Sequence, residues 1–551
     1  MIHVLGVSLG LWTCVLSGQA CIGFINCNWS YCIMLDNTSS VWRPHALLMP
    51  QAAAELDRVT IALGTPGFTL MQRAGAALLR VIEARFTPTP TLVVCGPGNN
   101  GGDGFVVAEL LRRKNWPVQV AMATPPDALQ GDAGLARVFF QGEILSWSAG
   151  LLDGKRLVID AMFGIGLNRF LDSPFVNLIE TLNATKIPVV AVDMPSGVDA
   201  ATGGLLGTGV KAAVTITFTR KKPGLLLLPG RDCAGVVVVA DIGVDRDAMN
   251  NVAMPLAENH PELWEVELPR FLSGQHKYDH GHALILGGSV MTGAARLAAR
   301  AAQRAGAGLV TIAAEEAAAT VYATNLDSVL VQRIAHDIHW QQAVNDPRKT
   351  ALLLGPGSGV GEATLTKTIL ALTTRKPCVL DADALTSFAD LPEELFGYLY
   401  PETVLTPHMG EFNSLFGRND RVDKCTRALA AARQAGGIVL LKGADTVIAA
   451  PRGLGVINAN APAWLATAGS GDVLAGIIAG LMAQRVPAFT AACIAAWVHG
   501  AAAAGFYPGM IAEDLIEKLP KTLADIREQE KTGAETLMVP APVEAIRSAC
   551  A

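Results

Sequence analysis

Asn99 and Asn100, followed by Gly101, Gly102 and Asp103, lie inside Cys95-Gly-Pro-Gly-Asn-Asn-Gly-Gly-Asp-Gly104. Two amides and a carboxylate in a glycine-rich stretch after an apolar run can hold an anionic ligand, because backbone N–H groups and the helix dipole favour negative charge there. The spacing is not the G-x-G-x-x-G of a redox dinucleotide fold, since Asp103 would face a pyrophosphate. A plain glycine-rich turn is the simpler alternative. Asp160, in Ile159-Asp-Ala-Met-Phe-Gly-Ile-Gly-Leu167, and Asp193 with Ser196, in Val192-Asp-Met-Pro-Ser-Gly-Val-Asp199, close two further apolar runs. Amide, carboxylate and hydroxyl oxygens suit a hard cation better than zinc. Each Asp taken alone can equally cap a helix.

A second centre is Thr467-Ala-Gly-Ser-Gly-Asp-Val-Leu-Ala-Gly476. Gly469, Ser470 and Gly471 expose backbone N–H groups at a helix start, where a phosphoryl group in transit is stabilised, and Asp472 stands where it can take a proton from a hydroxyl. The alternative is an Asp that merely caps an Ala-rich helix. His276, His280 and His282 fall within seven residues, but no Cys lies near them and the flanking Gly274 and Gly281 oppose a helical pair, so a zinc site is not expected there. Trp464, Trp497 and His499 read as packing residues.

These residues need strand ends to bring them together. Strands are expected at Thr91 to Cys95, Val118 to Ala121, Leu157 to Ile159, Pro188 to Val192 and Ala213 to Phe218, with a helix from Phe105 to Lys114. Alternation of strand and helix means a parallel sheet covered on both faces, whose carboxyl ends converge on one crevice. A second series runs through His282 to Leu286, Ala351 to Leu354, Cys378 to Leu380, Thr403 to Leu405 and Ile438 to Leu441, with helices at Ala294 to Ala305 and Asp472 to Met482. Asn250 to Glu265, rich in Asn, Pro and Glu, reads as the linker between them.

Of the 551 residues, 51% are hydrophobic and 17% charged, which excludes disordered, collagen-like and coiled-coil chains. The 43 Lys and Arg against 49 Asp and Glu supply no basic field for nucleic acid. Ten cysteines without a Cys-x-x-Cys pair predict a reduced, cytoplasmic enzyme. The first 35 residues carry no Asp, Glu, Lys or Arg, and Val4 to Ile25 is long enough to span a bilayer. With no Lys or Arg before Arg43, the expectation is a leader outside the functional chain, which would start near Met34 or Met49, rather than an export or membrane segment.

The segments Pro97 to Gly104, Asp160 to Leu167 and Val192 to Asp199 resemble the N-terminal epimerase domain of the bifunctional NAD(P)H-hydrate repair enzymes. The Gly-Ser-Gly-Asp segment resembles the ribokinase superfamily. His276-Lys-Tyr-Asp-His-Gly281, Gly287-Gly-Ser289, Gly355-Pro-Gly-Ser-Gly359, Asp381-Ala-Asp-Ala384, Thr406-Pro-His-Met-Gly-Glu411 and Lys442-Gly-Ala-Asp-Thr446 run in the order of the NAD(P)H-hydrate dehydratase domain. The resemblance implies an α/β chain. A leader at 1–45 precedes a Rossmann-like three-layer epimerase domain at 46–250, and a linker at 251–264 leads to a ribokinase-like dehydratase domain at 265–540. It also implies that Asn99, Asn100, Gly101, Gly102 and Asp103, the loop Gly164, Ile165, Gly166, Leu167, Asn168, Arg169 and Phe170, and Asp193 hold a hydrated nicotinamide nucleotide. Asn100, Asp160 and Ser196 would bind potassium, and Asp193 would be the acid/base.

In the second domain, by the same resemblance, Lys442, Gly443, Ala444, Asp445, Thr446 and Gly471 contact ADP with Mg2+. Ala294, Gly357 or Gly359, His408 and Asp472 contact the hydrated nucleotide, with Asp472 as catalytic base. Two departures stand out: the family usually has Pro at 409 and Gly at 445, where this chain has Met409 and Asp445. A carboxylate at 445 would be repelled by phosphate and is expected to turn away or use only its backbone. The partners implied are hydrated NADH or NADPH and ADP, with no nucleic acid and no membrane, and a homo-oligomer is allowed. A ribokinase-type kinase of a vitamin precursor, fused to a binding domain, is the rival reading.

Overall fold

The computed structural model describes residues 42–124, 129–264 and 267–532, so the charge-free stretch expected to be a leader lies outside the described residues up to residue 41. The first sheet contains β1 (Thr91–Cys95), β2 (Val118–Met122), β3 (Ile144–Ser146), β4 (Leu157–Ala161), β5 (Val189–Val192), β6 (Val214–Phe218) and β7 (Val236–Ala240). Its order is β3-β2-β1-β4-β5-β6-β7, and every pairing is parallel. Every residue of β1, β4, β5 and β6 is buried, which is why these strands read as unbroken apolar runs rather than alternating ones. The strand order reverses between β1 and β4, and that is where a doubly wound sheet opens a crevice at its carboxyl ends.

The helix after β1 starts at Asn99 rather than Phe105 and runs to Arg113. Its glycines serve packing. A Cβ on Gly101 would sit 2.0 Å from the Gly96 carbonyl oxygen, and one on Gly104 would sit 2.6 Å from the Ala161 Cβ. The stretch that looks like a loop in sequence is therefore the first turn of a helix pressed against β1 and β4.

The second sheet holds β8 (Leu256–Glu258), β9 (His282–Gly287), β10 (Leu309–Glu315), β11 (Leu330–Ile334), β12 (Ala351–Leu354), β13 (Cys378–Leu380), β14 (Thr403–Leu405), β15 (Ile438–Leu441), β16 (Thr446–Ala449) and β17 (Gly455–Asn458). The order is β11-β10-β9-β12-β13-β14-β15-β16-β17-β8, parallel as far as β15, with β16 antiparallel to both of its neighbours. Helix Ser470–Ala483 is buried at every position from Val473 onward, as an all-round apolar helix must be. It packs closely on helix Thr292–Arg304, since a Cβ on Gly476 would fall 2.2 Å from the Ala298 carbonyl oxygen.

The expected linker is built into the second domain: β8 pairs with β17, and Trp264 is buried with its indole N–H on Asn259 Oδ1 at 2.9 Å. The expected leader boundary at residue 45 also falls inside structure. Trp42–His45 is a short helix, Trp42 is fully buried, and its indole donates to the Met254 carbonyl at 2.9 Å. Among the described residues no helix is long and apolar enough to cross a membrane. Cys95, Cys233, Cys378, Cys425 and Cys493 are free thiols, all buried.

Candidate active sites

At the β1/β4 switch lies a cavity of about 760 Å³. Asn99, Asn100, Asp103, residues 162–169 and Asp193 reach it from strand ends, and Asp57, Leu70 and Met71 from two covering helices. Gly101 and Gly102 do not line it, because they are buried in the helix packing, and Phe170, 73% exposed, stands outside the lining.

Asp160 is completely buried. Its carboxylate accepts from Ser196 Oγ at 2.6 Å and from the Ser196 and Met162 backbone N–H groups at 2.8 and 3.2 Å. No Lys or Arg among the described residues pairs with it, and burial raises its pKa to about 6 against the pull of those hydrogen bonds. The buried Asn100 amide nitrogen has no partner, and Asn100 Oδ1 lies 2.9 Å from where a Cβ on Gly164 would be. A buried carboxylate without a counter-charge, with the Ser196 hydroxyl on it and the Asn100 amide oxygen in the same crevice, fits a hard cation.

Asp193 follows β5 with a left-handed φ of 63°, a costly conformation for a residue with a side chain. Its Oδ1 accepts from Lys222 Nζ at 2.5 Å, Thr217 Oγ1 at 3.0 Å and the Phe218 N–H at 3.2 Å. Lys222 is itself 2% exposed and also donates to Thr217 and the Phe218 carbonyl. Two further carboxyls face this pair. Burial, then the nearby Asp193 charge, raises Asp57 to about 6 and holds Asp103 well above the usual carboxylate range. The site thus combines one ion pair with two carboxyls biased toward the protonated form. Lys222 and Asp57 were not among the sequence candidates. Lys222 follows β6 in the run Arg220-Lys-Lys-Pro223, a strand-end position that was the one available signal.

In the second domain the loops after β13, β14 and β15 meet at the start of helix Ser470–Ala483, and the loops after β9 and β12 touch each other at Gly288 and Gly357. Lys442 Nζ donates to Asp381 Oδ1 at 2.7 Å and lies 4.0 Å from Glu411. The same ammonium is 3.6 Å from where a Cβ on Gly471 would begin, so it lies against the helix start. Gly469 has φ 83°. Burial, then Asp381, raises Asp472 to about 6, while Lys442 opposes the rise. Asp381 and Glu411 are further site residues that sequence reasoning placed in segments without giving them roles. Three carboxylates around one ammonium leave negative charge that suits a divalent cation.

His408 caps helix Met409–Phe416, accepting on Nδ1 from the Gly410 and Glu411 N–H groups at 2.9 and 3.2 Å, while Glu411 returns a bond to the His408 N–H. Met409 occupies the first helical position, where Pro is equally at home, so the departure leaves the turn intact. The Asp445 carboxylate is already paired within the protein. It accepts from Lys424 Nζ at 2.6 Å and from the Leu228 N–H of the first domain at 3.0 Å. Gly443 and Thr446 close the loop on each other through the Thr446 hydroxyl, and Ala444 uses its carbonyl to accept from Arg231 at 2.8 Å. Gly357, φ 66°, lies under the Met291 carbonyl, and the Gly359 N–H donates to Asp383 at 2.8 Å. Ala294 sits in the first turn of helix Thr292–Arg304.

The three histidines between 276 and 282 do not converge: His276 is exposed, His280 stacks on Phe271, and His282 is buried against Thr311 and Lys349. Trp464 bonds to the Ala503 carbonyl, and Trp497 packs edge-on against Trp264.

A doubly wound sheet with an oxygen-lined crevice, joined to a second sheet whose strand ends ring a glycine-rich helix start, defines a two-site α/β enzyme. Residues 67–224 match the family model described as YjeF-related protein N-terminus, and residues 283–523 the one described as NAD(P)H-hydrate dehydratase. The bifunctional NAD(P)H-hydrate repair enzyme of Thermofilum pendens is 35% identical over 85% of this chain and 94% of that protein. The enzyme of the same name from Escherichia coli is 35% identical over 83% of this chain and 90% of its own. A solved ADP/ATP-dependent NAD(P)H-hydrate dehydratase from Bacillus subtilis, co-crystallised with ATP and Mg2+, is 28% identical and matches 50% of this chain and 100% of that one, with a TM-score of 0.43. The chain belongs to the family of bifunctional NAD(P)H-hydrate repair enzymes.

Proposed function

We propose that the first domain interconverts the R and S hydrates of NADH and NADPH, and that the second dehydrates the S form at the expense of ADP. The observation that carries this reading is the placement of Lys442 and Asp472 at one glycine-rich helix start, with Asp193 and Lys222 at a separate strand-end crevice. In the second site Asp472 takes the proton of the ring hydroxyl as its oxygen accepts the β-phosphoryl of ADP, and AMP leaves. The phosphorylated oxygen then departs as phosphate with loss of a neighbouring ring proton, and the reduced nicotinamide returns. Backbone N–H groups at Gly469 to Gly471, with Lys442, stabilise the moving phosphoryl group. Mg2+ accompanying the nucleotide would be balanced by Asp381 and Glu411, supplying charge neutralisation.

In the first site Asp193 exchanges a proton with the hydroxyl at C6. Protonation lets the ring nitrogen expel water, and water adding to the other face of the flat cation returns the proton. Potassium held by Asn100, Asp160 and Ser196 would supply positive charge near the ligand phosphates. The test is to incubate the full chain with mixed NADH hydrates and ADP or ATP and to follow recovery of reduced-nicotinamide absorbance. Complete recovery with ADP supports both activities, recovery of only the S fraction removes the epimerase, and a stable phosphorylated product without recovery supports a kinase instead.

A further inference from the structure

We propose that His45, His260 and Glu262 form a binding site for a zinc-type transition-metal ion at the seam between the two domains. One ligating atom from each lies within 4.8 Å of the other two, and among the described residues this is the one group of three His, Cys, Asp or Glu so placed. His45 Nε2 is 2.9 Å from Glu262 Oε2, and the two imidazoles stack with centroids 4.3 Å apart, so one ring must tilt for both nitrogens to reach a single ion. Two imidazole nitrogens and one carboxylate oxygen are a zinc donor set, with bonds of about 2.0–2.2 Å and a fourth position left for water. The His45 side chain is 13% exposed and that of Glu262 60%, so the cluster is walled on one side and open to water on the other.

The ligands are carried by segments held in register before any ion arrives. Ala46 and Ala257 form an antiparallel bridge, the Leu47 N–H donates to the Leu256 carbonyl at 2.8 Å, and Trp42 anchors the preceding helix in the core. Beside the cluster, Lys221 pairs with Glu258 at 2.7 Å, which leaves Glu262 as the carboxylate joined to the histidines. None of the three residues lines the 760 Å³ cavity, and none belongs to the loops around Lys442. An ion here would staple the chain before the first domain to the strand that enters the second.

The test titrates the metal-stripped full chain with Co2+, whose visible absorption reports coordination, and measures melting temperature with Zn2+ and with Mg2+. One Co2+ per chain with tetrahedral visible bands and no thiolate-to-metal band is expected, together with a melting temperature raised by Zn2+ and not by Mg2+. His260→Ala and Glu262→Gln should each lose both effects while melting like the parent without metal. If His260→Ala fails to fold, the largely exposed Glu262→Gln decides. Unchanged cobalt spectra in the variants, a thiolate band placing the ion on cysteines, or no binding at micromolar Co2+ would each overturn the proposal.

Discussion

At the residue scale, Asp193 is held by three donors on a single oxygen, one of them a buried ammonium. Replacing Lys222 with Met should slow R/S exchange by roughly 10²-fold or more, the range in which a positioned acid/base contributes, while dehydration of supplied S hydrate stays unchanged. Chromatographic separation of the epimers over time checks both halves. Asp472 must be ionised to accept a proton, and its carboxyl is raised to about 6. The dehydration kcat/KM should therefore be flat above that pH and fall tenfold per unit below it, and Asp381→Asn, by removing a nearby negative charge, should move the falling limb to lower pH. A pH–rate profile on S hydrate decides this. Asp160 and Asp193 were legible because an acid after an apolar run marks a strand end, Ser196 because it follows in the same segment, and Asp472 because it comes after Gly-Ser-Gly at a helix start. Asp57 was not, since it sits beside Leu56 on an amphipathic helix and reads as solvated surface until the fold turns it over the crevice.

At the element scale, glycine decides how closely helices and strands approach. Gly476→Ala places a methyl 2.2 Å from the Ala298 carbonyl oxygen, and overpacking of this kind should cost about 1–3 kcal/mol, measured as a lower denaturant midpoint with an unchanged slope. The same physics hid the helix start at Asn99: three glycines within six residues read as a turn, and only the neighbours at Gly96 and Ala161 show that they are contact points. The central parallel strands were legible as buried apolar runs. β8 was not, because Leu256–Glu258 is three residues long in a Pro- and Asn-rich stretch and gains its identity from β17, two hundred residues away.

At the scale of the molecule, the first domain reaches the 442–446 loop of the second. Arg231 donates to the Ala444 and Ala459 carbonyls at 2.8 and 2.9 Å, and the Leu228 N–H donates to Asp445. Asp445 is thus a docking residue between the two domains. Arg231→Ala should raise the KM for ADP several-fold with little change in kcat and none in R/S exchange, readable from steady-state kinetics at saturating S hydrate. Trp42→Ala should cost about 3–5 kcal/mol, as loss of a buried Trp does, and should lower the melting temperature of the dehydratase activity. A cut at residue 45 therefore removes a core side chain.

The position of Trp42 bears on how the chain is made. Its helix is synthesised before the first domain, yet it is covered by Met254 and by helices formed much later. At ribosomal speeds of ~5–20 residues per second, the segment at 42–48 waits on the order of ten seconds or more for its partners. During that interval the first domain can close its own sheet while Trp42 remains uncovered. The two catalytic halves are thus nested in the order of assembly: Trp42, ahead of the first domain, is among the last side chains to be packed, and a nascent chain stalled before residue 254 carries a completed crevice beside an exposed indole.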